Sequence, residues 1–313
     1  MKVSIAFVFP GQGSQAVGML DAYGSSEVVR ELLARVDAAL GEPLSGLIAG
    51  GPADALGLTV NTQPAMLVAG LAAFLSWRAA GGPEPVAVAG HSLGEYTALT
   101  AAGAFTIEDA VRLVRVRAQA MQEAVPVGQG GMAAILGLSD DAVRQACAEA
   151  GADGQVVEAA NYNAPMQVVI AGHKAAVERA CERAKALGAR RALPLPVSAP
   201  FHSSLLRPAG DRLSGVLAGT RLDAPRYPLV NNIDAAVETD PVRIRDALVR
   251  QAWGPVRWVE VIMRLKGLGV TRVIELGPGK VLAGLVSRID KDLQVASVHD
   301  PASLEAALKE IVA

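Results

Sequence analysis

Cysteine is nearly absent from this chain: Cys147 and Cys181 are the only two in 313 residues. That excludes the disulfide framework of small secreted domains, and neither cysteine has neighbours at metal-ligand spacing. Both read as free thiols of a cytoplasmic protein, and no metal site is expected. A surplus of one charge is missing too, since 29 Lys and Arg stand against 31 Asp and Glu. There is no basic field for nucleic acid and no polybasic patch for a membrane surface. Long hydrophobic runs are also lacking. The longest, residues 64–77, contains Gly70 and Ser76 and suits a buried helix better than a membrane span. The apolar N-terminus stops at Pro10 without a small-residue cleavage site, so it reads as a first strand and not a signal peptide. Histidine is scarce, with four in all, and that scarcity becomes useful below.

What the chain does have is apolar material. Hydrophobic residues make up 51% and charged residues only 19%, the balance of a well-packed globular protein. Strand and helix signals alternate through the first third. Ile5–Phe9 reads as a strand, residues 28–40 and 66–77 as helices, and residues 86–89 as a second strand. That is the grammar of an α/β domain with a parallel sheet. The middle differs. Strands are expected at 132–138, 155–160, 167–171 and 192–197, with helices after Ser139 (to Ala150) and at 174–187. The order β-α-β-β-α-β is that of a ferredoxin-like unit. After it, alternation resumes with a strand at 272–276. The expected architecture is a large α/β domain, residues 1–126 and 206–313, carrying an inserted ferredoxin-like small domain at 127–205.

The most informative local feature is Gly90-His91-Ser92-Leu93-Gly94. It follows the second strand and leads into a helical segment, which is the context that gives a G-x-S-x-G turn meaning. The glycines allow a sharp reversal that lifts the serine hydroxyl clear, and the helix start aims its N–H groups at the same place. A serine nucleophile needs a base. His91 adjoins Ser92, where neighbouring side chains diverge. His173 falls at a loop in the insert, and His299 at a surface turn. His202 lies in an irregular segment at the expected domain border, where clefts form. It is the candidate base, with a packed structural histidine as the competing reading. No aspartate can be assigned to orient it, though a backbone carbonyl can fill that role.

Arg117 is a second clue. On the helix at 107–124, Arg112, Arg115, Gln119 and Gln122 form one polar face. Arg117 instead lines up with Ala110, Val114 and Met121 on an apolar stripe. Burying an arginine is costly unless it is paired. The partner is either a structural carboxylate or the carboxylate of an anionic substrate, which a guanidinium grips with two parallel hydrogen bonds. A third clue is Phe9-Pro10-Gly11-Gln12-Gly13-Ser14-Gln15, after the first strand. Its spacing is wrong for a dinucleotide fingerprint, but it lies at the sheet edge where ligands bind. Gly277-Pro278-Gly279-Lys280 lacks the spacing of a phosphate-binding loop and reads as a structural turn.

These motifs, with Asn61-Thr62-Gln63-Pro64-Ala65, Pro196-Val197-Ser198 and Val249-Arg250-Gln251, occur in an order that resembles the malonyl-CoA:acyl carrier protein transacylases of fatty-acid synthesis. Acyltransferase domains of polyketide synthases are similar. The resemblance spans nearly the whole chain and implies an α/β-hydrolase-like large domain with a ferredoxin-like insert. It implies Ser92 as nucleophile, His202 as base and the main-chain carbonyl of Gln251 as its orienter. The N–H groups of Gln12 and Leu93 would form the oxyanion hole. Arg117 would bind the malonyl carboxylate, with Met121 and Phe201 beside it. Phe201 departs from the small residue of many free-standing members; in the polyketide relatives phenylalanine there goes with malonyl. Gly254 departs from a common asparagine. The implied partners are malonyl-CoA and acyl carrier protein, with no cofactor, and Arg190 and Arg191 are candidates for carrier docking. The alternatives are service to a polyketide carrier protein, a plain esterase or thioesterase, and a non-catalytic docking protein. The hydrolases would want an acid between Ser92 and His202 and have no use for Arg117.

Overall fold

An unbroken apolar run with no polar face marks a strand buried on both sides, and Ile5–Phe9 is one, with every residue buried. The computed structural model describes residues 3–152, 154–197 and 199–312; Ser198 of the Pro196-Val197-Ser198 motif lies outside them. The described residues form strands β1 (Ile5–Phe9), β2 (Ala87–Gly90), β3 (Gly130–Leu136), β4 (Val157–Ala164) and β5 (Gln167–His173). They continue with β6 (Arg191–Pro194), β7 (Leu229–Val230), β8 (Val237–Glu238), β9 (Arg272–Leu276) and β10 (Gln294–Val298). One sheet has the order β10-β9-β1-β2-β7-β8. Its pairs are parallel except β7 with β8. The other sheet, β4-β5-β3-β6, is antiparallel throughout.

Side-chain alternation along β1 divides the large sheet's core in two. Phe7 and Phe9 face a cluster with Phe74 and Trp77, where the Phe7 and Trp77 rings meet edge to face at 5.6 Å. Ala6 and Val8 face the opposite cluster, with Trp258 and Ile262. The helix Thr59–Ala79 packs on the Phe7 side. It begins seven residues before the start at 66 expected from sequence. Pro64 lies inside the helix at its sixth residue, where it has no N–H to offer the carbonyl four residues back, and the helix runs through it. The second sheet carries its helices, Asp140–Ala150 and Lys174–Ala186, on one face, over Ala133, Ile135, Val168 and Ile170. Its strand order, with two βαβ halves, is the ferredoxin-like arrangement. β6 stops at Pro194 instead of continuing to 197, because Pro194 and Pro196 have no N–H to offer a ladder. β4 runs on to Ala164 through two register irregularities. These bring Asn161 and Asn163 to the mouth of the cavity described next.

Candidate active site

β2 delivers the chain at the carboxyl edge of the parallel sheet, and the turn that follows is dictated by close packing. A Cβ on Gly90 would lie 1.9 Å from the Gly94 carbonyl, and one on Gly94 would lie 2.0 Å from the Phe9 oxygen. Only glycine fits at either place. Between them Ser92 is held at φ +53°, a left-handed conformation that a non-glycine residue keeps only when its surroundings enforce it. The enforcement is visible. The Ser92 N–H donates to Asn232 Oδ1 at 2.7 Å, and Asn232 Nδ2 donates to the Gly90 carbonyl at 2.7 Å. The His91 N–H donates to the Phe9 carbonyl at 2.9 Å. The helix Gly94–Ala101 starts directly after the turn.

The second residue in a left-handed conformation here is His202, at φ +61°. Its Nε2 is 2.6 Å from Ser92 Oγ. Its Nδ1 faces two carbonyls, of Gln251 at 2.9 Å and of Gly254 at 3.2 Å. Two acceptors at Nδ1 require the proton to be there, which leaves Nε2 with a lone pair toward the serine hydroxyl. Burial lowers the His202 pKa to about 3, helped by the positive charge of Arg117 and by His91 and opposed by the two carbonyls. The imidazole is therefore neutral at ordinary pH, the form that can take a proton.

Arg117, 1% exposed, projects from the helix Ile107–Glu123 into the same place. Its Nη1 donates to Gln63 Oε1 at 2.7 Å, and its Nη2 to Ser92 Oγ at 3.1 Å and Gln251 Oε1 at 2.9 Å. The guanidinium lies 5.2 Å from the centre of the Tyr96 ring. Its Nε has no partner, and among the described residues no carboxylate lies within ion-pair distance of it. Burial pushes its pKa down. The structural ion pair left open by the sequence is thus not made; every hydrogen-bond partner of Arg117 is neutral.

A cavity of about 290 Å³ opens above these groups, lined by Ser92, His202, Arg117, Gln12, Leu93 and Phe201 among others. Gln12 is brought to Ser92 because the loop after β1 packs tightly on the turn: a Cβ on Gly11 would meet the His91 carbonyl at 2.8 Å. Met121 was expected beside the substrate, but it lies behind Gln63, whose Nε2 donates to the Met121 sulfur at 3.7 Å. The apolar stripe that carries Met121 turns it toward the core, where it is buried, so it supports Gln63 and does not line the cavity. His91 is engaged elsewhere, with its Nε2 2.8 Å from Asn163 Oδ1. Arg190 and Arg191 are both exposed, at the start of β6. Among the described residues, no group of three or more His, Cys, Asp or Glu is placed to hold a metal ion.

Three contributors escaped the sequence reading. Gln63 stands in the Asn61–Ala65 motif with no role of its own there, and neither Asn232 nor Glu95 belongs to a motif named above. Glu95 is fully buried, and its Oε2 accepts from the Asn232 N–H at 3.0 Å and Gln251 Nε2 at 3.1 Å. The available signal was a run of polar residues in otherwise apolar surroundings, at Asn231-Asn232 and at Glu95 inside a buried helix.

The acyl transferase domain model matches residues 6–300. The malonyl CoA-acyl carrier protein transacylase of Salmonella typhimurium is 52% identical over 306 residues, covering 97% of this chain and 99% of that protein. Its Bacillus subtilis counterpart is 44% identical over 308 residues, covering 98% and 97%. Among solved structures, the acyl-carrier-protein S-malonyltransferase of Burkholderia pseudomallei is similar at TM-score 0.96 and 65% identity, covering 98% of this chain and all (100%) of that one. A malonyl-transacylase solved in complex with a type II polyketide acyl carrier protein is similar at TM-score 0.96 and 47% identity, covering 98% and 99%. Among the described residues, no helix is long and apolar enough to cross a membrane.

Proposed function

This chain belongs to the acyl transferase domain family, and from that premise we propose that it moves a malonyl group from malonyl-CoA to the phosphopantetheine thiol of an acyl carrier protein. The service in this reading is to fatty-acid chain extension, as the sequence resemblance implies. One observation carries the choice of acyl group: a buried guanidinium with only neutral partners, 3.1 Å from the Ser92 hydroxyl. An acyl chain ending in a carboxylate supplies the missing charge, and an acetyl group does not. Phe201, lining the cavity, limits room for a branched extender.

The chemistry then follows in two halves. His202 Nε2 takes the Ser92 proton as Oγ attacks the thioester carbonyl. The oxyanion is stabilised by the Gln12 and Leu93 N–H groups. The tetrahedral species collapses with loss of the C–S bond, and the coenzyme A thiolate takes the proton from His202. Malonyl-serine remains. In the second half the pantetheine thiol gives its proton to His202, its sulfur attacks the ester carbonyl, and Ser92 leaves with the proton restored. This is ping-pong covalent catalysis. The Arg117–carboxylate pair helps hold the ester away from water. No cofactor is called for, because the thioester itself is the activated group. A plain hydrolase has no use for Arg117, and Phe201, the residue shared with polyketide relatives, goes with malonyl there too and leaves the choice of acyl group unchanged.

The same reading makes this a cytoplasmic enzyme, in keeping with two buried cysteines that remain free thiols. It also has the carrier protein approach beside β6, where Arg190 and Arg191 would meet an acidic surface. The deciding experiment is to mix the protein with radiolabelled malonyl-CoA and chase with carrier protein or with water alone. Label should leave the enzyme for the carrier protein and persist in water; prompt release into water would make the protein a hydrolase.

A further inference from the structure

Beneath the reacting groups lies a polar layer that the proposed reaction does not itself use. Gln251 is its hub. The main-chain carbonyl of Gln251 accepts from His202 Nδ1 and its side-chain Oε1 accepts from Arg117. Its Nε2 donates to the Ser92 carbonyl at 2.9 Å and to Glu95 Oε2 at 3.1 Å. Asn232 is the second hub. Its side chain holds the Ser92 N–H and the Gly90 carbonyl, while its own N–H donates to that same Glu95 oxygen. Both hubs therefore converge on one atom. Ser92 and Arg117 lie 25 positions apart and His202 lies 110 beyond Ser92, yet their supports meet at Glu95 Oε2.

We propose that Glu95 is the positioning residue of this site, the acceptor that joins Gln251 to Asn232 so that nucleophile, base and carboxylate-binding arginine share one frame. The inference rests on the acyl-transfer reading and adds a residue to it. An amide can be turned end for end, and what opposes that here is where the acceptors lie. With the Ser92 carbonyl and Glu95 Oε2 on one side, Nε2 must point there and Oε1 must face Arg117. A reversed amide would set donor against donor at Arg117. Remove the Glu95 acceptor and two buried N–H groups lose their partner, which frees both hubs to move. Burial raises the Glu95 carboxyl to about 7, opposed by the bonds from Gln251 and Asn232 and by Arg117, and reinforced by Asp234. A group so costly to bury as an anion is retained for what it holds. Its other oxygen, Oε1, has no partner, so an amide there would displace no existing bond.

The test compares Glu95→Gln, which keeps an acceptor oxygen at the same reach, with Glu95→Asp and Glu95→Leu, which do not. Rapid-quench acylation by malonyl-CoA and by acetyl-CoA is measured on each folded variant. The wild-type burst with malonyl-CoA, run alongside, examines the acyl-transfer reading separately. Leu and Asp should lower the acylation rate by on the order of 10²-fold, the scale of a misplaced reacting group, and should narrow the malonyl-over-acetyl preference. Gln should restore both to within about threefold of wild type, since only geometry is at stake. Should the Leu variant fail to fold, Asp carries the comparison, and the His202 Nδ1–H proton resonance gives a readout free of turnover. It should shift or broaden in the Asp variant and stay in the Gln variant. Wild-type rates and preference in a folded Asp or Leu variant, or a Gln variant as slow as they are, would overturn the proposal.

Discussion

The Ser92 hydroxyl sits between two nitrogens of opposite character. Arg117 Nη2 donates to it at 3.1 Å and His202 Nε2 stands 2.6 Å away with its lone pair free. The base can therefore accept the hydroxyl proton while the arginine holds the oxygen in place. The same guanidinium is within reach of whatever is esterified to that oxygen. Nucleophile activation and acyl selection are set by one cluster of side chains, and each can be tested apart from the other.

Ser92→Ala removes a single hydroxyl and leaves the turn intact, because the Ser92 N–H bond to Asn232 is made by the backbone. Brief mixing with malonyl-CoA followed by intact-mass measurement should show a malonyl adduct on the wild type and none on the variant. An adduct of equal yield on the variant would assign the nucleophile elsewhere.

His202→Ala should slow acylation by roughly 10²–10⁴-fold, the usual worth of a general base. The pH dependence follows from the depressed pKa of His202, about 3. The active form is the neutral one, so acylation should hold nearly level from pH 8 down to about 5, well below the ordinary histidine midpoint of about 6.5. For folding the sign is the same. A histidine whose folded pKa lies below its unfolded one contributes stability that is complete above about 6.5 and is lost as pH falls toward the folded value. An acylation profile that fell away around pH 6.5 would show that His202 is not shielded in this way.

Asn232→Ala leaves the Ser92 N–H and the Gly90 carbonyl without their partner. A cost of about 1–3 kcal/mol in denaturant unfolding is expected for such a buried orphan. Acylation should drop alongside, because the left-handed Ser92 conformation loses its restraint. Unchanged stability would mean that water or a neighbour replaces the amide.

Much of this arrangement is legible in the sequence, and the limits are physical. Ser92 declares itself because the constraints on it are local: two glycines at fixed spacing after a buried strand. His202 emerges because only four histidines exist and three of them have other places. Arg117 is conspicuous by standing on an apolar stripe, yet the stripe alone cannot say whether its partner is protein or substrate. That required the neutral partners Gln63 and Gln251 to be seen around it. Asn232 and Glu95 were beyond the sequence because their roles exist only across the sheet. Asn232 reaches Gly90 over 142 positions of chain, and it does so because β7 happens to lie beside β2. Met121 shows the converse, since a residue on a recognisable stripe can lie one layer behind the cavity lining.

Charge reversal at both Arg190 and Arg191 should raise the KM for carrier protein and leave that for malonyl-CoA unchanged, since exposed charges steer a macromolecular partner and do not touch the thioester cavity. The effect should shrink as salt is added. Equal effects on both substrates would move the docking surface elsewhere.

The central claim is that Arg117 chooses the acyl group, and the most direct measurement is kcat/KM for malonyl-CoA and acetyl-CoA in wild type and Arg117→Ala. The wild type should strongly prefer malonyl-CoA, because acetyl leaves a buried guanidinium with no carboxylate bonded to it. The variant loses both the grip on the carboxylate and the penalty on acetyl, so malonyl transfer should fall while acetyl transfer holds or rises. Arg117→Lys should not restore the preference, since a point charge cannot make the two-toothed contact. A ratio between the two substrates that is the same in Arg117→Ala as in wild type would contradict the account and leave Arg117 a structural residue.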